Sequence, residues 1–161
     1  MRLKLDDRDI QILSILQHEG RITKTELAQR VNLSPTPCWE RLKHLEQAGI
    51  IAGYGAHLSW KKVPLTMVFM EVELSSHQAH DFDHFENMVQ SLPEVLECWA
   101  VGGGIDYLLK VVTASVDEYQ RLVDRLLRAN IGLKRYYTYI VTKPVKNSQS
   151  LPDALLRHID A

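Results

Sequence analysis

The chain has 161 residues, 45% of them hydrophobic and 24% charged, which is typical of a globular protein with one domain or two small ones. No apolar run is long enough to span a membrane, and the N-terminus lacks the layout of a signal peptide, so we expect a cytoplasmic protein without a membrane partner. Cys38 and Cys98 lie in different halves without a CxxC pair, so neither a disulfide, a zinc site nor another cofactor is predicted.

The formal net charge of −1 conceals an asymmetry between the two parts of the chain. Residues 1–62 contain ten Lys and Arg against seven Asp and Glu, a net charge of +3, whereas residues 63–161 contain nine against thirteen, a net charge of −4. A basic part joined to an acidic part fits a DNA-binding head carried on a body that does not touch DNA. An excess of three charges is small, so several linked heads would be needed for strong binding.

The first two predicted helices begin at capping residues. Asp6 is placed to cap the first helix, which ends at Gly20. Thr23 is placed to cap the second, and Glu26 three residues later completes a capping box. The inner stripes are apolar, with Ile10, Leu13 and Leu16 in the first helix and Leu27, Ala28 and Val31 in the second.

A tight turn over residues 32–34 leads to a third helix that ends at Gly49. Ser34 is one candidate cap, because Pro35 then takes the first helical position and Pro37 still lies in the first turn. Thr36 followed by Pro37 is a second candidate cap, and the sequence leaves both open. A helix, a short turn and a capped second helix follow the helix-turn-helix order, here at about residues 24–43.

The third helix has two unlike faces. Cys38, Leu42 and Leu45 fall on one side at spacings of four and three, whereas the opposite side offers donors, acceptors and positive charge. Such a polar face is what a helix in the DNA major groove requires, although an ordinary helical hairpin has a similar pattern. We therefore predict double-stranded DNA as a partner. The predicted DNA-binding residues are Lys24, Ser34, Pro35, Thr36, Pro37, Trp39, Glu40, Arg41, Lys43 and His44, of which Thr36, Glu40, Lys43 and His44 face bases and Arg41 or Lys24 lies near phosphates.

The second half of the chain changes from helical to mixed periodicity. Residues 50–58 are predicted to be extended, as a strand leaving the head or a short wing, and residues 60–64 form a linker. Strands are then expected at 68–74, 95–101, 105–113 and 133–142, and helices at 78–92 and from Ser115 to about residue 130. The order β-α-β-β-α-β predicts an α+β, ferredoxin-like domain with both helices on one face of an antiparallel sheet.

The other sheet face is predicted to be bare in a monomer. Phe69, Tyr139 and either Tyr136 or Tyr137 are too apolar to remain in water, which predicts sheet-to-sheet dimerisation. The predicted domains are residues 1–62, residues 63–143 and a C-terminal extension over 144–161. In the extension, Leu151, Leu155 and Ile159 are expected on one side of a short docking helix. The second domain also has a helix whose core face comprises Tyr119, Leu122, Val123, Leu126 and Leu127.

Two further clusters of residues are candidate sites. His77, His80 and His84 include a zinc-chelating spacing, but they lie opposite the apolar face of their helix, so a solvated surface is favoured and no metal is predicted. Residues 102–104 are three consecutive glycines that join two strands, and three exceed what a hairpin turn needs. No nucleophile–base pair or catalytic motif is present, so we do not expect an enzyme.

Residues 21–54, RITKTELAQRVNLSPTPCWERLKHLEQAGIIAGY, closely resemble the DNA-binding domain of the Lrp/AsnC (feast/famine) family of transcriptional regulators. The resemblance covers all but the first few residues and the C-terminal tail, and it implies a winged helix-turn-helix domain followed by a ferredoxin-like effector-binding domain of the RAM type. It also implies sheet-mediated dimers that assemble further, here into tetramers or octamers.

The glycine segment resembles the family's effector loop, V-[S/T]-G-x-x-D-[Y/F]. Gly103, Asp106 and Tyr107 match it, whereas Gly102 departs from the usual hydroxyl residue. The resemblance implies that the loop lines an effector pocket at a dimer–dimer contact, with Thr138 facing the same pocket. The predicted effector-binding residues are Val101, Gly102, Gly103, Gly104, Asp106, Tyr107 and Thr138.

These observations together predict a sequence-specific transcriptional regulator that responds to an amino acid or a related metabolite and controls genes of amino-acid metabolism or transport. The alternative is a metabolite-binding or enzymatic ferredoxin-like protein whose helical head serves only in assembly. Binding of DNA from the region upstream of its own gene separates these two hypotheses.

Overall fold

The computed structural model describes residues 4–159, apart from the side chain of Lys61, and it divides into two compact units. The first unit combines the N-terminal part of the chain up to Leu58 with the C-terminal part from Lys146. The second unit is Ser59–Val145. No helix in the described residues is long and apolar enough to cross a membrane.

In its described residues, the first unit contains three helices and a short fourth one. They are α1 (Asp7–Leu16), α2 (Lys24–Arg30), α3 (Pro35–Gln47) and α6 (Asp153–Leu156). Apolar side chains from all four helices pack into one core, which includes Ile12, Leu27, Val31, Leu45 and Leu156. Asn32 adopts a left-handed conformation, with φ of 53°, in the predicted turn that joins α2 to α3.

Helix caps form at the predicted residues. Asp6 Oδ1 accepts hydrogen bonds from the backbone N–H groups of Arg8 and Asp9, at 2.8 and 3.0 Å, and the Asp9 carboxylate accepts from the backbone N–H of Asp6. Thr23 Oγ1 accepts from the N–H of Glu26 at 3.2 Å, but the described residues show no return bond from the Glu26 side chain, so the predicted capping box is half formed. These bonds satisfy amides that have no partner within the helix.

Ser34 is the N-cap residue of α3, and Thr36 lies inside the helix. The Ser34 side chain makes no capping hydrogen bond. The physical reason is that Pro37 occupies the third helical position and has no N–H to donate. Pro35 fits the first helical position, where an N–H would be unpaired in any case.

The extended segment expected at residues 50–58 does not form a strand. Ile50 and Ile51 are half-buried against the helical core, and both backbone N–H groups donate to the carbonyl of Leu45, at 3.1 and 3.3 Å. They therefore close the end of α3 instead of pairing with a strand. Gly49 allows this reversal with a φ of 72°. Residues 52–58 have no regular secondary structure in the described chain.

The second unit is a four-stranded antiparallel sheet with two helices. Its elements are β1 (Thr66–Leu74), α4 (Ala79–Gln90), β2 (Val95–Ala100), β3 (Tyr107–Thr113), α5 (Val116–Arg128) and β4 (Leu133–Ile140), and a 3₁₀ turn at Trp60–Lys62 precedes β1. The strand order is β2-β3-β1-β4. This confirms the predicted ferredoxin-like β-α-β-β-α-β arrangement.

Alternation along the strands separates a core face from an open face. Val68, Met70 and Val72 of β1 are fully buried together with Phe85 of α4 and Leu122 of α5. Burying these apolar side chains is the main favourable contribution to folding of the unit. The alternate residues of β1 face away from the helices, and the register pairs Phe69 with Tyr139, so both lie on the open face.

Two core assignments required correction, and one open alternative is resolved. Leu127 is 48% exposed, because it lies at the edge of the α5 stripe, about 90° from its centre. Tyr136 packs against the core, so Tyr137 is the open-face residue of that pair. In the C-terminal extension Leu156 is buried, whereas Leu151 and Leu155 are exposed. The helix there has only four residues, so a spacing of four does not define its buried face.

Candidate DNA-binding surface and effector loop

The outer face of α3 presents polar side chains to solvent. Thr36, Glu40, Lys43 and His44 are all exposed, whereas Cys38, Leu42 and Leu45 on the opposite side are buried in the core. Ser34 and Pro35 are exposed at the start of the helix, and Pro37 is half-buried. The helix therefore presents these hydrogen-bonding groups to solvent while its apolar side fixes its orientation in the unit.

Arg41 differs from its neighbours because its side chain is paired with other residues of the chain. Its guanidinium donates to Asp6 Oδ2 at 2.7 Å and to Asp9 Oδ1 at 2.9 Å. The hydrogen bond to Asp9 raises the pKa of Arg41 further above its usual value. These bonds connect α3 to the N-terminal cap of α1. The Arg41 guanidinium, which the sequence predicted near a DNA phosphate, is therefore paired with two carboxylates of the chain.

A shallow cavity of about 380 Å³ lies beside this ion-pair network. Its lining residues are Asp9, Pro37, Glu40, Arg41, His44 and Leu45. Two of the outer-face side chains, Glu40 and His44, therefore share a surface with the Arg41–Asp9 pair. The ion pairs of Arg41 therefore help to hold α3, and with it the outer face, against the start of α1.

Lys24 and Trp39 meet at the flank of the outer face. The Lys24 ammonium lies over the Trp39 ring, 3.1 Å from its centroid. Lys24 begins α2 and Trp39 lies in α3, so this contact joins the two helices of the motif. Sequence reasoning placed both residues near DNA but did not foresee the contact between them.

The glycine loop of the second unit lies at the end of the β2–β3 hairpin. Gly102, Gly103 and Gly104 are exposed, and Gly103 has a φ of 142°, which only glycine adopts readily. The N–H of Val101 donates to the carbonyl of Asp106 at 2.9 Å and closes the loop. The loop therefore exposes backbone groups that no side chain shields, and the hydrogen bond between Val101 and Asp106 fixes the base of the loop.

Asp106 anchors this loop to β1. Its carboxylate accepts from the backbone N–H of Leu74 at 2.7 Å, and its own N–H donates to the carbonyl of Val72 at 2.9 Å. His77 Nε2 lies 3.1 Å from the same carboxylate, and the His77 ring stacks on Phe82. The His77 side chain remains 62% exposed, as expected, although it also contacts Asp106 and Phe82. Within the described residues, no group of three or more potential metal ligands is assembled.

Tyr107 and Thr138 direct their hydroxyls to partners within the unit. Tyr107 is buried, and its hydroxyl donates to Glu86 at 2.7 Å. Burial, followed by this hydrogen bond to Glu86, raises the pKa of Tyr107. The hydroxyls of Thr138 and Tyr119 are 2.7 Å apart and share a hydrogen bond. Val101, the three glycines and Thr138 are the predicted effector-binding residues that remain exposed.

Residues 5–52 match the family described as winged helix-turn-helix DNA-binding, and residues 67–151 match the Lrp/AsnC ligand binding domain. The chain is 52% identical over 145 residues to the transcriptional regulatory protein DoeX of Halomonas elongata, a match that covers 89% of this chain and 92% of that protein. It is 40% identical over 148 residues to the leucine-responsive regulatory protein of Escherichia coli K12, covering 91% and 90% of the two chains.

The structural comparison agrees with the sequence comparison. A crystal structure of a transcriptional regulator from Neisseria meningitidis in complex with L-Met matches with a TM-score of 0.88 and 38% identity, covering 94% of this chain and 99% of the other. An AsnC family transcriptional regulator from Agrobacterium tumefaciens matches with the same TM-score, 31% identity and the same coverages. Both units and their order along the chain are therefore shared with known regulators, and the chain belongs to the Lrp/AsnC family of transcriptional regulators.

Proposed function

We propose that this regulator reads DNA with the outer face of α3. The observation that supports this proposal is the contrast between its two faces: Cys38, Leu42 and Leu45 are buried, whereas the polar side chains of Thr36, Glu40, Lys43 and His44 lie on the opposite side, toward solvent. An accessible face rich in donors and acceptors can form hydrogen bonds to base edges in the major groove. Arg41 contributes by holding α3 against α1, since its guanidinium is paired with Asp6 and Asp9.

The proposed effector site is the loop Val101–Gly104 together with its base at Asp106. A free amino acid needs N–H donors for its carboxylate, and the exposed glycine backbone allows close approach of such donors. The Asp106 carboxylate accepts from the N–H of Leu74 and lies 3.1 Å from His77 Nε2, so it fixes the geometry of the loop base against β1. The Neisseria meningitidis regulator in complex with L-Met supports an amino acid or related metabolite as the ligand class.

The same proposal includes self-association through the open sheet face. Phe69, Trp99, Tyr137 and Tyr139 are exposed large aromatic side chains, and the strand register places all four on this face. Covering them with the same face of a second copy removes apolar surface from water. Two DNA-binding units then act together, which raises the affinity through effective concentration. The protein acts in this proposal by binding, without catalysis.

The experiment that tests DNA reading is a gel shift with genomic fragments, including the region upstream of the chain's own gene. We expect retention of a defined subset of fragments, and sequencing of that subset gives the operator and the target genes. Retention of all fragments alike would contradict sequence-specific reading. If no fragment is retained while the chain binds a metabolite, the helical unit serves in assembly and not in DNA recognition.

A further inference from the structure

The flank of the outer face holds a lysine against an indole ring. Lys24 Nζ lies 3.1 Å from the centroid of the Trp39 ring, and Trp39 is 39% exposed. An ammonium above an indole face is attracted by the ring's electron density, and tryptophan is the most favourable partner for this contact. Because the two residues belong to α2 and α3, the contact fixes the lysine relative to the recognition helix.

The contact leaves the charge of Lys24 available. In the described part of the chain no carboxylate lies within ion-pair distance of Lys24, whereas Arg41 is paired with Asp6 and Asp9. An aromatic face does not neutralise an ammonium, and the three N–H donors cannot all point at one ring. Lys24 therefore has a defined position, a full positive charge and free donors beside the DNA-reading face.

We infer that Trp39 is a positioning residue that holds the Lys24 ammonium where it binds a DNA phosphate. This inference rests on the proposed DNA reading by α3 and deepens it. A free lysine side chain loses much rotamer freedom when it binds a phosphate, and an ammonium already held by a ring loses less. The affinity gained through Trp39 thus depends on the presence of Lys24.

The test is a double-mutant cycle on one retained DNA fragment, with affinity measured over a range of salt concentrations. Lys24→Gln should reduce the magnitude of the slope of log Kobs against log salt by about 0.9 for each phosphate that the side chain no longer neutralises. Trp39→Leu should weaken binding by about two- to fivefold, as expected for an exposed cation–π contact. In the Lys24→Gln background, Trp39→Leu should have no further effect, and Trp39→Phe should retain most of the parent affinity.

Two measurements keep the outcomes distinguishable. Trp60→Leu is the matched control, because Trp60 is 36% exposed and lies outside the three helices, so it should leave the affinity unchanged. Thermal unfolding of each variant identifies any loss of folding. If Trp39→Leu fails to fold, Trp39→Phe, which keeps an aromatic ring at this position, serves as the second variant. An equal loss of affinity from Trp39→Leu with and without Lys24 would overturn the inference, because Trp39 would then contact DNA itself. An unchanged salt slope in Lys24→Gln would also overturn it, whereas a parent that retains no DNA refutes the proposed function itself.

Discussion

Arg41 on the recognition helix donates to Asp9 on α1 across 2.9 Å, and Asp9 in turn accepts from the backbone N–H of Asp6. The residue that caps the first helix is therefore linked to the helix proposed to read DNA. Burial tends to raise the pKa of Asp6, but hydrogen bonds from the Asp9 backbone and Arg41 together bring that pKa below its usual value. The network thus favours the charged form of Asp6 at the start of α1.

Arg41→Ala and Lys43→Ala should have different effects. Arg41→Ala removes the guanidinium from the buried Asp9 carboxylate and should lower the free energy of unfolding by about 1–2 kcal/mol, since solvent partly screens the pair. Lys43→Ala should change stability by less than about 0.5 kcal/mol and weaken DNA binding by roughly 1–3 kcal/mol for each base that the side chain no longer reads. Denaturant unfolding and gel shifts measure the two quantities. An Arg41→Ala variant of parental stability that no longer binds DNA would show that Arg41 contacts DNA directly.

The C-terminal helix α6 should stabilise the first unit through one leucine. Leu156 is 3% exposed in the helical core, whereas its neighbour Leu155 is 54% exposed. Leu156→Ala should lower the free energy of unfolding of this unit by about 2–5 kcal/mol, because it leaves a cavity. Leu155→Ala is the matched control and should change it by less than about 0.5 kcal/mol. Equal effects of the two substitutions in chemical denaturation would contradict docking of α6.

Gly104→Val should abolish the effector response without unfolding the chain. A Cβ at Gly104 meets no atom within 4 Å, so valine is accommodated in the loop while it blocks close approach of a ligand to the backbone. The twenty amino acids and close derivatives are titrated against parent and variant, following DNA binding and assembly size. Gly55→Val, at another uncrowded glycine outside the loop, is the control and should respond like the parent. A response that persists in Gly104→Val would place the pocket elsewhere.

Phe69→Lys should reduce self-association. Phe69 is 36% exposed in the centre of the open sheet face and pairs across β1 and β4 with Tyr139. A lysine ammonium in a sheet-to-sheet contact loses its hydration. The Phe69→Lys assembly should therefore dissociate at a higher protein concentration than the parent. Leu127→Lys, at an exposed leucine on α5, is the control and should leave the mass unchanged. Light scattering over a concentration series measures both, and a parent that is monomeric throughout would refute the interface.

Stability should decline in mild acid. The hydrogen bond from Arg125 lowers the pKa of Glu94, and the one from Lys110 lowers the pKa of Glu97. A carboxylate with a depressed folded-state pKa stabilises the fold above its unfolded pKa and loses this contribution as the pH falls through the folded pKa. The free energy of unfolding should therefore decrease as the pH is lowered from about 5 to about 3. Glu97→Gln should make this fall shallower, and an identical profile in both proteins would contradict the assignment.

Local patterns determined most of the secondary structure. Asp6, Thr23 and Ser115 were identified as helix starts because capping depends on a side chain and amides only a few residues away, and all three accept the expected hydrogen bonds. Alternation in β1 and the order of elements likewise predicted the ferredoxin-like sheet, because period-two burial is visible in the sequence. The two unlike faces of α3 were predicted in the same way.

Tertiary structure decided which neighbours those elements meet. Arg41 looked available for a phosphate, but its carboxylate partner Asp9 lies 32 residues away in the chain, and no local rule connects such positions. The contact between Lys24 and Trp39 likewise exists only because α2 and α3 pack at one angle. Leu156 replaced Leu155 as the buried residue because docking on α1, and not helical periodicity, orients a four-residue helix. These side-chain contacts join residues that are far apart in the sequence or lie on different helices. The sequence therefore specified the proposed DNA-reading helix, whereas the contacts that support it became visible only in the folded chain.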